Sequence, residues 1–483
     1  MDDLIRRARN GFTRAFGGKP DGCWAAPGRI NVLGEHTDYN DGYVLPYAIP
    51  YYTVAAVARS ESPTWQVWSE ATGETVTFGP GRVREELPRD QAVSGWAGYV
   101  AGVVWSLRHM ADAPVGGARI AIASDVPTGA GLSSSAALEL SVLLALCDLF
   151  GVDLPDEHKV LVAQHAENEY VGAPTGILDQ TASLRSLPDS VLFMDCRSGV
   201  VEALPFPLAE SGLDMIVVDT RAPHRHSDGE YADRRADCER AAKLLGLDSL
   251  RDVRRGEALT LPDQVLRRRV RHVRSENHRT RTAADRLRAG DTDLRFLGEL
   301  MLESHLSLAA DFEVTVPELD HTVEAALRGG AWGARMTGGG FGGSVICLVN
   351  SDRSEEMCRH VAEVAARQDF PEPRFYTATP AAGAHRLADL PRDRDHVRGS
   401  TYRSGTGHRF APCPNSDAAT SSPAPPTACG VCSRCTGSCS NPARPSRSWR
   451  TGWCGRRCSR GCCWWDCAGS GTCAPHSATR GPS

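Results

Sequence analysis

Hydrophobic and polar positions change their period many times along this chain of 483 residues. Arg29-Ile30-Asn31-Val32-Leu33 and Ala118-Arg119-Ile120-Ala121-Ile122-Ala123 alternate with β-branched residues, which predicts strands. Asp214-Met215-Ile216-Val217-Val218-Asp219 and Val345-Ile346-Cys347-Leu348-Val349 run almost continuously apolar and predict two more. Ala136 to Phe150 is a long apolar block and Val160 to Tyr170 repeats at helical spacing, so both predict helices. Such blocks alternate from Gly28 to about Leu387 and point to mixed α and β layers. A polar break at PLAESGL, Pro207 to Leu213, precedes a strand and predicts a domain boundary near residue 211.

Composition changes this picture mainly at the C-terminal end. The hydrophobic fraction, 41%, is that of a globular protein, but the net charge of −5 is uneven. Residues 401–483 hold ten Arg and two Asp, a balance of +8, which leaves −13 for residues 1–400. That segment also holds eleven of the 17 cysteines and no Leu, Ile, Met, Lys, Glu or Gln, so it has almost nothing with which to build an aliphatic core. Cys429, Cys432, Cys435 and Cys439 have the spacing of an iron–sulfur ligand run, with Ser440 where proline usually follows. The mixture as a whole is that of a GC-rich gene read out of frame. A non-homologous, disordered tail over 389–483 is therefore expected.

The remaining charge pattern excludes several classes of function. The arginine-rich stretch from Arg251 to Arg288 has apolar residues recurring among its charges, which predicts a solvated helix face and no nucleic-acid partner. No window approaches ~18 uninterrupted apolar residues, and MDDLIRRARNGFTRAF lacks the apolar core of a secretory signal. A cytoplasmic protein without a membrane partner is expected. Without a coiled-coil pattern or a long apolar stripe, a monomer is expected too.

Three polar or glycine-rich runs carry candidate chemistry. Gly34-Glu35-His36-Thr37-Asp38-Tyr39-Asn40 gathers two carboxylates, an imidazole, an amide and a phenol at the end of a strand. Those groups suit a metal ion, a nucleic acid or a polyhydroxylated molecule. Consecutive loop residues seldom converge as a tetrahedral set, and no further His or Cys stands at ligand spacing, which weakens the metal reading. Pro127-Thr128-Gly129-Ala130-Gly131-Leu132-Ser133-Ser134-Ser135 lies between a strand and a helix, where free N–H groups and the helix dipole attract anions. No Lys follows the glycines, so this is not a Walker A loop, and the cation beside a polyphosphate would have to be a metal ion. Thr337 to Ser344, TGGGFGGS, has more glycine than a turn needs and suggests close approach of backbone to something bound.

Together, GRINVLGEHTDYN, PTGAGLSSSAALE, GILDQ and MTGGGFGGS occur in the order and at the approximate distances found in galactokinases of the GHMP kinase superfamily. The chain resembles that family from about residue 10 to residue 388. Further matches lie in Thr220-Arg221-Ala222-Pro223-His224 through Tyr231, in RHVRSEN from Arg271 to Asn277, and in Glu303 to Leu308. The resemblance implies an α+β, two-domain fold, with an N-terminal domain over 1–210, a C-terminal domain over 211–388 and the active site between them. It implies transfer of the γ-phosphoryl group of ATP to the anomeric hydroxyl of D-galactose, the first committed step of galactose use by the Leloir pathway.

The resemblance also implies roles for individual residues. Glu35, His36, Thr37 and Asp38, with Tyr231, Asp179 and the backbone at Gly176, would bind the sugar. Gly129, Ala130, Gly131, Leu132, Ser133, Ser134 and Ser135 would wrap the ATP phosphates, and Ser135 with Glu167 would hold Mg²⁺. Asp179 would accept the proton of the anomeric hydroxyl, with Arg29 beside it. Two other readings stay open: a related kinase acting on N-acetylgalactosamine, and a non-catalytic galactose sensor. The intact run from Leu132 to Ala137 and the presence of Asp179 disfavour the sensor.

Overall fold

The computed structural model describes residues 1–388 apart from 85–90, 174 and 223–226. The tail with its cysteine run, and Pro223 and His224 of the matched motifs, lie outside the described residues. The expected α+β arrangement is what the structure has. Helix α1 (Asp2–Phe16) leads into strands β1 (Gly22–Asn31), β2 (Tyr43–Val44), β3 (Pro46–Arg59), β4 (Trp65–Ser69) and β5 (Thr75–Phe78). Next come α2 (Trp96–Met110), β6 (Ala118–Ser124), α3 (Ser134–Phe150), α4 (Asp156–His165), α5 (Leu178–Arg185), β7 (Ser190–Asp195) and β8 (Val200–Pro205). The rest is β9 (Leu213–Asp219), α6 (Ser227–Leu245), α7 (Gln264–Arg288), α8 (Phe296–Ser307), α9 (Pro317–Arg328), β10 (Gly333–Thr337), β11 (Ser344–Asn350), α10 (Ser354–Arg367), β12 (Arg374–Thr377) and β13 (His385–Arg386).

Three sheets result, ordered β13-β1-β3-β6-β4-β5, β10-β11-β9-β12 and β2-β7-β8. Strand β1 is buried on both faces, which is why its sequence is apolar without alternating cleanly. Trp24 and Ala26 point into a core shared with α2, α3 and α4. Cys23 and Ala25 point the other way, to Leu4, Ile5, Ala8 and Phe12 of α1. Strands β9, β10 and β11 pack on α6, α7 and α9. A further core joins Ile30, Val32, Leu33 and Tyr47 to Met215, Val217, Ile346 and Leu348, so strands from both sides of residue 211 bury their side chains together.

One prediction about an element changes in detail. The arginine-rich segment does form a long helix, α7, but only part of its circumference is solvated. Arg269, His272, Glu276, Asn277 and Arg279 are buried, and they share that side with Leu266, Val270 and Val273. Arginines among the apolar letters hid the buried face from a periodicity reading.

Candidate active site

Strand β1 delivers the first site residue through a bulge. Its pairing with β3 shifts register between Pro27 and Arg29, the kind of irregularity that re-aims a side chain. Gly28 sits in the bulge because the next loop leaves no room: a Cβ there would stand 2.6 Å from the Leu132 carbonyl oxygen. Arg29 then turns inward, 7% exposed. Its Nε donates to Asp179 Oδ1 at 2.8 Å and its Nη1 to the Gly131 carbonyl at 2.8 Å. Asp179, in the first turn of α5, accepts a second bond at its other oxygen, from the Ser133 hydroxyl at 2.6 Å. Ser133, expected on the phosphates, is thus also a partner of the proposed base.

Arg29 and Asp179 form part of the wall of a cavity of about 160 Å³ that also takes in Glu35, His36, Asp38, Gly176, Tyr231 and Gly339. The loop from Gly34 to Tyr43 therefore meets the start of α5 and the glycine run after β10. Its side chains are not equally free. Glu35 Oε1 accepts from the Thr337 hydroxyl at 3.0 Å and the Gly338 N–H at 2.8 Å, and pairs with Arg335 at 3.0 Å. Its Oε2 accepts from Asn31 at 2.8 Å. A carboxylate has about four acceptor positions, so Glu35 keeps roughly one for a ligand.

His36 is neutral, its imidazole pushed down to about 3 by burial and by the nearby His272. Nε2 therefore donates to the Gly339 carbonyl at 3.2 Å while Nδ1 accepts from the Tyr39 hydroxyl at 2.9 Å. With both ring nitrogens occupied, His36 contributes a ring face among Tyr231 and Phe312. Thr37 lies outside the cavity wall: it is fully buried and its hydroxyl closes the loop on the carbonyls of Gly34 and Tyr43. Asp38 is the freer acid. The Tyr39 N–H donates to it, and burial followed by the charges of Asp179 and Glu35 raises its carboxyl to about 6. A Cβ at Gly176 would overlap that carboxylate, so a larger residue there would push the Asp38 side chain from its place.

Behind Asp179 runs the second glycine loop. Ala130 and Leu132 anchor it in the core, and the Ser344 hydroxyl donates to the Ala130 carbonyl at 2.7 Å. The Gly131 carbonyl lies 3.4 Å from where a Gly338 Cβ would be, so the two glycine runs touch. Helix α3 begins at Ser134, and its leading N–H groups precede the helical ladder, as an anion site requires. Ser135 hydrogen-bonds to Glu167, which also accepts from Thr175 at 3.1 Å and Gln180 at 2.7 Å. Burial, then the charge of Asp179, raises the Glu167 carboxyl. A hydroxyl and a carboxylate at hydrogen-bond distance, with surplus negative charge and oxygen donors alone, fit a hard cation such as Mg²⁺.

Several residues that shape this site escaped the sequence reading. Arg335 is 0% exposed in β10 and joins Glu35 to the Val32 carbonyl, where Nη1 donates at 2.9 Å. A charged letter inside a short buried strand was the available signal. Glu139, four residues beyond Ser135 on α3, is fully buried, and burial followed by the Glu167 charge holds its carboxyl well above the usual range. Gln180 bridges it to Glu167, donating to Glu139 Oε2 at 3.4 Å. Glu139 Oε1 and Gln180 Oε1 meet no donor among the described residues.

Comparison with known proteins places this arrangement. Three family models match: a galactokinase galactose-binding signature over residues 10–59, a GHMP kinase N-terminal domain over 98–186 and a GHMP kinase C-terminal domain over 283–367. A galactokinase of Streptomyces coelicolor is 44% identical over 382 residues, which is 78% of this chain and 97% of the relative. One from Mycobacterium bovis is 42% identical over 364 residues, 75% and 98% of the two chains. The structure of Lactococcus lactis galactokinase complexed with galactose matches with a TM-score of 0.73 at 33% identity, covering 80% of this chain and 100% of that one. A mevalonate kinase, 16% identical with a TM-score of 0.52 over 74% of this chain and 98% of its own, shares the fold. The signature model falls on the loop that carries Glu35 and Asp38, and relatives of one kind span nearly their whole length on this chain; the protein belongs to the galactokinase family.

Proposed function

We propose that the protein transfers the γ-phosphoryl group of ATP to the anomeric hydroxyl of D-galactose, yielding galactose 1-phosphate and ADP. The observation that carries this reading is the meeting of Asp179, fixed by Arg29 and Ser133, with Asp38 and Glu35 across one small cavity backed by the phosphate-type loop. Sugar hydroxyls are donors that need acceptors. Asp38 accepts from neighbouring hydroxyls, Glu35 offers its one remaining position, and Tyr231 and the backbone at Gly176 complete the wall. The anomeric hydroxyl gives its proton to Asp179 as its oxygen bonds to the γ-phosphorus and the bond to the departing ADP breaks. Arg29 orients the Asp179 carboxylate and faces the charge that develops nearby.

Residues 129–135 and the start of α3 hold the phosphates with backbone N–H groups and hydroxyls. Ser135 and Glu167 hold Mg²⁺, which supplies neutralisation of phosphate charge when bound. The same reading takes the chain as a cytoplasmic monomer divided near residue 211. A coupled assay over galactose, N-acetylgalactosamine, glucose and arabinose tests the substrate, and turnover confined to another sugar overturns it. Asp179→Asn keeps the hydrogen-bonding shape around Arg29 and Ser133 while removing the base. It should bind galactose yet lose nearly all kcat, and substantial remaining turnover would remove Asp179 from its role.

A further inference from the structure

The loop 34–43 has a second cleft at its other end. Tyr43, Arg251, Arg274, Asn277, His278 and Arg281 enclose about 200 Å³ there. That space admits several waters and leaves room for a phosphate group with a short organic arm. Asn277 is 8% exposed, and its Oδ1 accepts the Tyr43 N–H at 2.9 Å. Its amide N–H₂ has no hydrogen-bond partner among the described residues and borders the cleft.

The cations around it are not alike. Arg251 is already balanced by Asp195, donating to both carboxylate oxygens, and stacks over the Tyr43 ring at 4.3 Å. Arg274, His278 and Arg281 follow one another on one side of α7. Among the described residues neither Arg274 nor Arg281 has a carboxylate within ion-pair distance, and the Arg281 guanidinium stands 5.7 Å from the Tyr43 centroid. Guanidinium groups and an amide N–H₂ can only donate, so what they leave unfilled is a place for acceptor oxygens. The Asn277 amide N–H₂ opens to the solvent of the cleft and adds its donors between the two arginines, where an anion could take the place of water.

We propose that this cleft binds a small phosphate-bearing anion, gripped by Arg274, Arg281 and the Asn277 amide. Two sources share that chemistry, free orthophosphate and a phosphate ester such as a sugar phosphate. The test is calorimetric titration of the full chain saturated with galactose and a non-hydrolysable ATP analogue, so that the catalytic cavity is closed to the titrant. Inorganic phosphate and galactose 1-phosphate are titrated separately, and the pair is repeated on an Arg274→Ala/Arg281→Ala double variant. Both arginines are exposed and outside the catalytic cavity, so kcat in phosphate-free buffer should not change.

Saturable binding of one anion per chain, weakened at least tenfold in the double variant, supports the site. Equal affinities then assign it to the phosphate group alone, and tighter binding of the ester assigns it to a phosphate ester. No saturable heat in the unaltered chain overturns the proposal, as does equal binding by the double variant. This experiment reads binding rather than turnover, so its failure leaves the catalytic reading untouched.

Discussion

An acid buried to meet a ligand costs the empty protein stability, and Asp38 is the clearest case. Its carboxyl sits at about 6 against an ordinary 3.8. Because the folded value is the higher one, the penalty is absent below about pH 4, grows as pH rises, and is complete above about 6. Asp38→Asn should therefore raise the unfolding free energy at pH 7.5 by roughly 1–3 kcal/mol while weakening galactose binding. Hydroxyls donate best to the ionised form, so galactose affinity should fall as pH drops below 6, by up to about tenfold per unit, and the variant should be flat. An unaltered protein whose galactose Kd is constant from pH 5 to 8 would refute the role given to Asp38. Glu139 makes a different demand. As a neutral carboxyl it can accept the Gln180 N–H and donate its own O–H to the Gln180 oxygen, which gives both orphaned oxygens a partner. Glutamine offers the same pair of bonds. With Mg²⁺ held by Ser135 and Glu167 as proposed, Glu139→Gln should keep kcat and the Mg²⁺ concentration for half-maximal rate within a few fold, whereas Glu139→Ala removes the second anchor of the Gln180 amide beside Glu167 and should raise that concentration. Loss of activity in both variants would mean that the charge, not the shape, matters.

At the scale of elements, helix α7 fastens the loop 34–43 from behind. Glu276 Oε1 accepts the Gly34 N–H and the Ser304 hydroxyl, each at 2.8 Å, while Asn277 holds the Tyr43 end of the loop. Burial pushes the Glu276 carboxyl up, but Arg279 and Arg335 outweigh it and hold the group at about 2. Its folded value is below the ordinary 4.5, so the stability it supplies is present above about pH 4.5 and is lost as pH falls toward 2. Glu276→Ala leaves the buried Arg279 guanidinium without its carboxylate and Arg335 with Glu35 alone, and should cost about 3–5 kcal/mol, read from the urea midpoint. A loss below 1 kcal/mol would mean that the arginines find other partners. This helix also marks where sequence reading stopped. GEHTDYN and PTGAGLSSSAALE were legible because each gathers its polar groups within a few consecutive residues, whereas Asp179 in GILDQ is ordinary when read alone and stood out only through the family resemblance. The division of labour inside them was not, because it is set by distant segments. Arg335, Thr337 and Gly338 use up most of Glu35 from about 300 residues away, the Gly339 carbonyl takes His36, and Gly176 leaves room for Asp38. The buried face of α7 was hidden for the same reason: its charges are paid for by partners from other elements.

For the molecule as a whole, the decisive question is how much of the chain the fold needs. Strand β13 closes the first sheet by pairing Trp24 with Arg386 and Ala25 with His385 on β1, and the Leu387 N–H donates to the Cys23 carbonyl. Just before it, the N–H groups of Ala381, Gly383 and Ala384 donate to Ala48, Ser186 and Ser183, tying the same segment to β3 and to the end of α5. Removing residues 380–388 would uncover the backbone edge of β1 and leave those carbonyls without donors, at about 1 kcal/mol or more for each buried bond lost. Residues 389–483 make no such claim on the fold through their composition, since beyond residue 400 there is no Leu, Ile or Met and a single Val from which to build a core. A chain ending at Ala388 should therefore keep the unfolding midpoint and galactose-dependent ATP turnover of the full chain, whereas one ending at Thr379 should unfold at markedly lower urea and lose activity with it. Iron analysis of the full chain completes the comparison: bound iron in proportion to protein, lost together with turnover in the 388-residue chain, would show that the cysteine-rich segment is a working part of the enzyme.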